Sequence, residues 1–150
     1  MKRVITVFLF LTFILCSCNN GIIKSSVSLN VGSLNTAFSL KSGDTIYSGD
    51  MKISDSGEFI FSLTSPETVK GVIFTVLDNS TKTTFDETTV TGADNVFSEL
   101  YKAVNLLKDA KEFSKVADGY LFKSEDFTAE LDFQGNLKKL NTAKGEFYFK

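Results

Sequence analysis

The 150-residue sequence contains no histidine and no tryptophan, a single proline and only two cysteines, Cys16 and Cys18. Histidine is the usual general base near neutral pH and, together with cysteine, a common ligand of zinc. Because no cysteine follows Cys18, disulfide bonds and thiol chemistry are excluded from the rest of the chain. The motifs of serine hydrolases, dinucleotide-binding domains and phosphate-binding loops are also absent. We therefore predict that the protein is not an enzyme and holds no metal ion and no cofactor.

Basic patches are absent as well. The formal net charge is −2, and without Lys2 and Arg3 it becomes −4, with 14 Lys and Arg against 18 Asp and Glu. Charges of both signs are interspersed, so no basic stripe is available to bind nucleic acid. A negative net charge also argues against a polybasic contact with anionic lipid headgroups. We expect no nucleic-acid partner.

The N-terminal residues have the pattern of a secretion signal. Lys2 and Arg3 precede an apolar run at residues 4–15 that is interrupted only by two threonines. A cationic start followed by an apolar run of this length is typical of a secretory signal peptide. The run is shorter than the roughly 20 residues that a membrane-spanning helix needs. An ordinary signal peptide with an incidental cysteine and an uncleaved anchor are the alternatives.

Residues 15–18 (LCSC) resemble the bacterial lipobox, in which an aliphatic and a small residue stand three and one positions before the modified cysteine. The resemblance implies diacylglycerol on the Cys18 thiol and cleavage after Ser17. Cys16 is a competing site, but it would place the bulky Leu15 directly before the cut. We therefore expect residues 1–17 to be a lipoprotein signal peptide. The lipid on Cys18 would then hold the protein at the extracytoplasmic side of the cell membrane.

The segment that follows is polar, and the remainder suits one domain. Residues 19–35 are rich in Asn, Ser and Gly, which predicts a flexible tether over residues 18–35. The alternation of Val27, Leu29 and Val31 leaves an edge strand open as an alternative there. Residues 36–150 have the length of a single compact domain.

Within that domain a β pattern surrounds one helical segment. Apolar spacing at residues 94–110 follows the helical period, with Asp94 as the predicted N-cap. Ten short segments bounded by turn residues predict strands, at residues 36–41, 45–54, 58–65, 71–77, 81–87, 113–116, 120–124, 127–133, 136–140 and 146–149. The predicted fold class is α+β, with an antiparallel β meander curled as a half-barrel around one central helix.

One local motif resembles a known group. Residues 65–74 (SPETVKGVIF) resemble a segment of small lipoproteins from Clostridia-type bacteria that reads SPE-x-hydrophobic-K-G-aliphatic-x-F. Those lipoproteins are similar to the LolA-like lipoprotein-carrier superfamily. The strand at Tyr47, the helix and the closing strand at residues 145–149 follow in matching order. The resemblance implies an open half-barrel whose concave face is covered by helix and, in the carriers, holds acyl chains. This chain is shorter and has one helix where the carriers use several.

Two functions remain open. The 15 phenylalanines favour a packed core but also offer an apolar lining, for which the candidates are Phe59, Phe61, Phe74, Phe97, Leu100, Val104, Phe122 and Leu131. The first hypothesis is a membrane-anchored envelope lipoprotein, not catalytic, that binds an apolar ligand or a lipoprotein acyl chain. The alternative is a structural or interaction lipoprotein that docks another envelope protein through a strand edge or the polar helix face. An apolar hollow of roughly 300 Å³ or more would favour the first, and a filled core the second.

Overall fold

The structure is a computed structural model that describes residues 24–78, 80–92 and 95–150. The expected signal peptide and Cys18 lie outside the described residues. The described part contains helix α1 (Val96–Asp109) and two 3₁₀ turns (Val31–Leu34 and Glu67–Val69). Its strands are β1 (Lys24–Ser25), β2 (Thr36–Ser42), β3 (Thr45–Ile53), β4 (Phe59–Ser65), β5 (Ile73–Leu77), β6 (Ser80–Phe85), β7 (Thr88–Gly92), β8 (Phe113–Val116), β9 (Gly119–Lys123), β10 (Phe127–Leu131), β11 (Leu137–Thr142) and β12 (Glu146–Phe149).

These strands form one antiparallel sheet in the order β1-β8-β9-β10-β11-β12-β2-β3-β4-β5-β6-β7. Strands β2 to β7 form one meander and β8 to β12 a second. The two meanders join where β12 pairs with β2, and Phe149 lies opposite Phe38 there. Helix α1 connects the end of the first meander to the start of the second. The expected antiparallel sheet with one helix is therefore present.

The sheet curls around the helix. Helix α1 contacts both β5 and β11, which are separated in the sheet by β12, β2, β3 and β4. In a flat sheet five strand spacings would place β5 and β11 about 24 Å apart, at ~4.8 Å per spacing. A helix is only about 10–12 Å wide with its side chains. The ring of a single helix residue, Phe97, lies 4.5 Å from Phe74 of β5 and 6.1 Å from Phe147 of β12, so the sheet bends toward the helix and the helix lies on the concave face.

Period-two alternation decides which strand residues enter the core. In β4, Phe59, Phe61 and Leu63 are buried, as the alternation predicted. In β3, Met51 is fully buried and Gly49 is buried on the same face. The helix adds its apolar stripe, and the buried hydrophobic residues of the sheet and helix belong to one core cluster. The strand period of two and the helical period therefore both direct their apolar residues into one core. The sequence is sufficient to predict which face of these elements is buried.

Several predicted strand ends differ from the structure by up to two residues, and strand β7 was not predicted. Strand β10 ends at Leu131, two residues earlier than expected, and Phe133 lies in the following turn with 51% of its surface exposed. The cause is Asp132, whose Oδ1 accepts hydrogen bonds from the backbone N–H groups of Gln134 and Asn136 at 2.9 Å each. These bonds replace ladder bonds and turn the chain. Strand β7 was not predicted, because all five of its residues are exposed and no apolar alternation marks it.

The expectation of a tether is wrong for residues 24–35. Leu29 and Leu34 are buried, and strand β1 pairs with β8. The Asn30 N–H donates to the carbonyl oxygen of Gly135 at 2.8 Å, and its side-chain amide donates to Asn136 Oδ1 at 2.8 Å. These contacts join residues more than 100 positions apart, so local composition does not reveal them. The folded domain therefore includes residues 24–35 as well as residues 36–150.

Candidate functional site

A small apolar hollow opens between the start of helix α1 and strands β2 to β5. Its volume is about 270 Å³. None of its lining residues is charged, and the polar side-chain groups are those of Ser42, Asn95 and the Tyr47 hydroxyl; the lining comprises Leu40, Ser42, Tyr47, Leu63, Val69, Val72, Phe74, Asn95, Val96 and Phe97. An uncharged apolar wall offers hydrophobic contact and no strong electrostatic partner. The hollow therefore suits an apolar group.

The cap of helix α1 fixes one wall of the hollow. Asn95 Oδ1 accepts hydrogen bonds from the N–H groups of Phe97 and Ser98, at 2.9 and 3.0 Å. In return, the Asn95 N–H donates to Ser98 Oγ at 2.9 Å, which completes a capping box. The predicted cap, Asp94, lies outside the described residues, and the helix cap is Asn95. This cap places Val96 and Phe97 at the hollow.

Phe97 forms the floor. Its ring lies 4.6 Å from the ring of Phe61 and 4.5 Å from the ring of Phe74, measured between centroids. Only 4% of Phe97 is exposed, whereas Phe74 is half-buried and borders the opening. The aromatic stack therefore connects the hollow directly to the core, and a ligand would rest on a rigid aromatic surface.

The segment that carries the SPE motif forms the opposite wall. After Pro66 a single 3₁₀ turn brings Val69 beside Val72, whose N–H donates to the Val69 carbonyl oxygen at 3.1 Å. The Leu63 N–H donates to the Val72 carbonyl oxygen at 2.9 Å, and the Gly71 N–H returns a bond of 2.9 Å to Leu63. This connection is therefore tied to β4. Its valines line the hollow, although the sequence analysis did not select them.

The structure brings only two of the eight predicted lining residues to this hollow, Phe74 and Phe97. Five others are buried in the core, with 2% or less of their surface exposed: Phe59, Phe61, Leu100, Val104 and Leu131. Phe122 is half-buried between Phe113 and Phe127, at centroid distances of 5.6 and 5.5 Å. Helix and sheet side chains thus fill most of the concave space. Among the lining residues that were not predicted, Val69 and Val72 belong to the 65–74 motif, but nothing in that motif indicates that they border a hollow.

Two larger depressions have a different character. One, of about 380 Å³, is bordered by charged side chains that include Glu99, Lys102, Glu125 and Asp126. The other is an open groove of about 980 Å³ along β2, β3 and β4, and its lining includes Asp50 and Lys52. Their charged walls make both poor sites for an apolar ligand. The smaller hollow is the better candidate because its wall is chemically uniform.

Strand β7 provides a second surface of interest. It pairs with β6 on one side only and ends the sheet order of the described strands. Its sequence TTVTG has no charge and no proline, and Val90 is 61% exposed. Natural edge strands usually carry lysine, proline or a bulge that blocks further pairing. This edge carries none of these features, so its backbone is open to another strand.

Other site types find no support in the part of the chain that the structure describes. In residues 24–78, 80–92 and 95–150, no group of three or more acidic side chains could hold a metal ion. Over the same ranges, no helix has the length and apolar character needed to cross a membrane.

Comparison of the chain with protein-family models, with curated proteins and with solved structures finds no match.

Proposed function

We propose that the protein is a non-catalytic envelope lipoprotein, anchored at the extracytoplasmic side of the cell membrane through a lipid on Cys18, that binds an apolar chain in the hollow. The observation that carries the binding part is the uncharged hollow of about 270 Å³. The lipobox-like residues 15–18 support the anchoring part. The curled antiparallel sheet with its single helix supports the LolA-like half-barrel as the family fold.

The size of the hollow limits the ligand. The volume of about 270 Å³ lies just below the ~300 Å³ at which small-molecule pockets begin. At ~30 Å³ for each water-sized group, it holds about nine such groups. A short acyl segment or one large apolar side chain therefore matches the hollow. The several acyl chains of a complete lipoprotein anchor do not, so the ligand would enter with one chain end only.

A displacement assay with a filled-hollow variant tests the proposal. Purified protein freed of lipid would be titrated with a fluorescent fatty acid, and decanoate would compete for the site. Val72→Phe, which adds a ring to the wall, should weaken binding at least about tenfold, equivalent to ~1.4 kcal/mol. Val90→Phe makes the same exchange at an exposed position outside the hollow and should bind as the unmodified protein does. Equal affinity in both variants would contradict the assignment of the site.

The exposed edge of β7 favours a second candidate, an interaction lipoprotein that accepts a strand from another envelope protein. Strand addition to an open sheet edge is a common mode of peptide recognition. Val90→Lys should block it, because a charged side chain on an edge opposes pairing. Ile73→Lys is the matched control, since Ile73 is also an exposed β-branched residue but pairs with Ser62 on one side and with Thr84 on the other. Crosslinking in cells should no longer recover the partner protein from the Val90→Lys variant, but should still recover it from the control variant. Loss of the partner from both variants would exclude the edge of β7 as the docking site.

A further inference from the structure

The position at which the chain reaches the sheet constrains how an anchored domain would face the bilayer. Lys24 is opposite Ser114 and Ser25 is opposite Phe113 in the antiparallel pairing of β1 with β8. Moving from Lys24 toward the N-terminus therefore means moving along β8 toward Val116. Cys18 precedes Lys24 by six residues, which span at most about 20–22 Å when fully extended. This end of the sheet thus lies within that distance of the Cys18 lipid.

The same end of the sheet exposes apolar and aromatic side chains. Val116, at the end of β8, pairs with Gly119 at the start of β9, and Tyr120 pairs with Leu131 at the end of β10. The ring of Phe133, in the next turn, lies 5.9 Å from the ring of Tyr120. We call Val116, Tyr120 and Phe133 the Phe133 patch. Tyr120 and Phe133 contact each other, whereas Val116 lies at the same end of the sheet but on its other face; Val116 is 40% and Phe133 51% exposed.

Hydrogen bonds hold the turn that carries Phe133, and a nearby lysine compensates the charge of its aspartate. Asp132 accepts a hydrogen bond of 2.8 Å from the Asn136 side chain, and Lys138 lies 3.9 Å from the same carboxylate. Asn30 bonds to the same turn, so residues 24–30 and the turn that presents Phe133 form one connected unit. A rigid turn of this kind keeps an exposed phenylalanine in place.

From these positions we propose that the Phe133 patch contacts the interfacial region of the phospholipid bilayer in which Cys18 is anchored. The inference rests on the proposed lipid on Cys18. A lipid anchor confines the nearby surface to the membrane, and tyrosine is enriched at the bilayer interface because it combines an apolar ring with a polar group at the headgroup level. Tyr120 is of this kind, and Phe133 and Val116 add apolar surface beside it. Lys115, which is exposed and pairs with Tyr120, adds a cation beside the lipid phosphates.

The proposed orientation also places the hollow. Ser42, in the wall of the hollow, donates from Oγ to the Lys144 carbonyl oxygen at 3.0 Å. Lys144 belongs to the turn after β11, whereas Phe133 belongs to the turn before it. The hollow therefore lies at the opposite end of β11 from the patch. Its ligand would arrive from the extracytoplasmic space or from a partner and would not come directly from the bilayer beneath.

The absence of tryptophan makes the contact measurable with a single reporter. The full sequence carrying Phe133→Trp would be expressed in a lipid-modifying bacterium, and the processed protein would be reconstituted in phosphatidylcholine vesicles with brominated acyl chains. Bromine should lower the tryptophan emission of this variant about twofold, since interfacial groups lie ~5–10 Å into the headgroup and acyl boundary. Leu106→Trp is the control. Leu106 is 56% exposed and lies near Glu125 and Thr142, at the other end of β9 and β11. Bromine should therefore leave the tryptophan emission of this variant unchanged.

The outcomes separate the two claims. Intact-mass analysis of the same preparation reports whether Cys18 carries lipid, and an unmodified Cys18 would overturn the anchoring proposal together with the inference. A lipidated Phe133→Trp protein whose emission is unaffected by bromine would overturn the inference alone. If the emission of Phe133→Trp changes to the same extent when the protein concentration is raised without vesicles, a second copy of the protein covers the patch. That result also overturns the inference. Val116→Trp is a second reporter and should be quenched in the same way as Phe133→Trp.

Discussion

Substituting Gly135 tests whether residues 24–35 belong to the folded domain. Gly135 has a φ of +81°, and a Cβ there would lie 2.3 Å from the Ser28 carbonyl oxygen. Gly57 has nearly the same φ, +83°, but a Cβ there meets nothing within 4 Å. The variants Gly135→Ala and Gly57→Ala therefore share one backbone penalty, about 1–2 kcal/mol for a left-handed conformation with a side chain. Only the first displaces Ser28.

The additional cost follows from what Ser28 holds in place. A carbon and an oxygen at 2.3 Å overlap so closely that the segment must move away from the turn. Movement removes the hydrogen bond from the Asn30 N–H to Gly135, worth about 1 kcal/mol. It also exposes Leu29, whose burial contributes about 1.5–3 kcal/mol. Gly135→Ala should thus destabilise the protein by about 2.5–4 kcal/mol more than Gly57→Ala does.

Urea unfolding followed by circular dichroism gives both free energies. Hydrogen exchange gives a local measurement, because the Asn30 amide should lose protection in Gly135→Ala and keep it in Gly57→Ala. Equal stability of the two variants, with unchanged exchange at Asn30, would refute the docking of this segment. Residues 24–35 would then be a tether, as their composition predicts.

Two further predictions concern a carboxylate and the anchor. Burial acts to raise the pKa of the Asp132 carboxyl, but hydrogen bonds from Asn136 and Gln134 and the charge of Lys138 outweigh it, so its pKa lies below the ordinary 3.8. The stability that Asp132 contributes is therefore present above pH 3.8 and is lost as the pH falls toward the lower folded-state pKa. In urea unfolding, the free energy of Asp132→Asn should decrease less on acidification than that of the unmodified protein. Identical decreases would refute this prediction. Cys18→Ala should release the protein from the membrane fraction or leave an unprocessed precursor, whereas Cys16→Ala should remain processed and membrane-bound; a cleaved Cys18→Ala protein that stays bound would exclude lipidation there.

Strands with a buried face could be predicted from the sequence, because period-two alternation records burial directly. The positions of Phe59 and Phe61 in β4 followed from it. Strand β7 has no buried residue. Its sequence TTVTG contains β-branched residues that favour a strand, but it has no apolar alternation that would indicate a buried face. The end of β10 depended on the Asp132 side chain competing with ladder hydrogen bonds, an effect that alternation does not report.

The candidate site was harder to predict than the fold. Apolar periodicity identifies side chains that turn inward, but it does not distinguish those that touch other protein atoms from those that border empty space. Phe61 and Phe74 have similar sequence patterns and both contact Phe97 at the start of the helix, yet Phe61 is fully buried and Phe74 borders the hollow. The start of that helix depends on the reciprocal bonds of Asn95 and Ser98. The hollow therefore results from tertiary packing.

The dependence of affinity on chain length is the most direct test of apolar binding in the hollow. Saturated fatty acids of increasing length would be titrated by calorimetry, below their micelle concentrations, into the lipid-free protein. Affinity should rise by about 0.8 kcal/mol for each added CH₂ and level off near nine carbons, where the hollow of about 270 Å³ is full. Val72→Phe should level off at a shorter chain. Affinity that keeps rising with length in both proteins, or no binding at any length, would contradict the account.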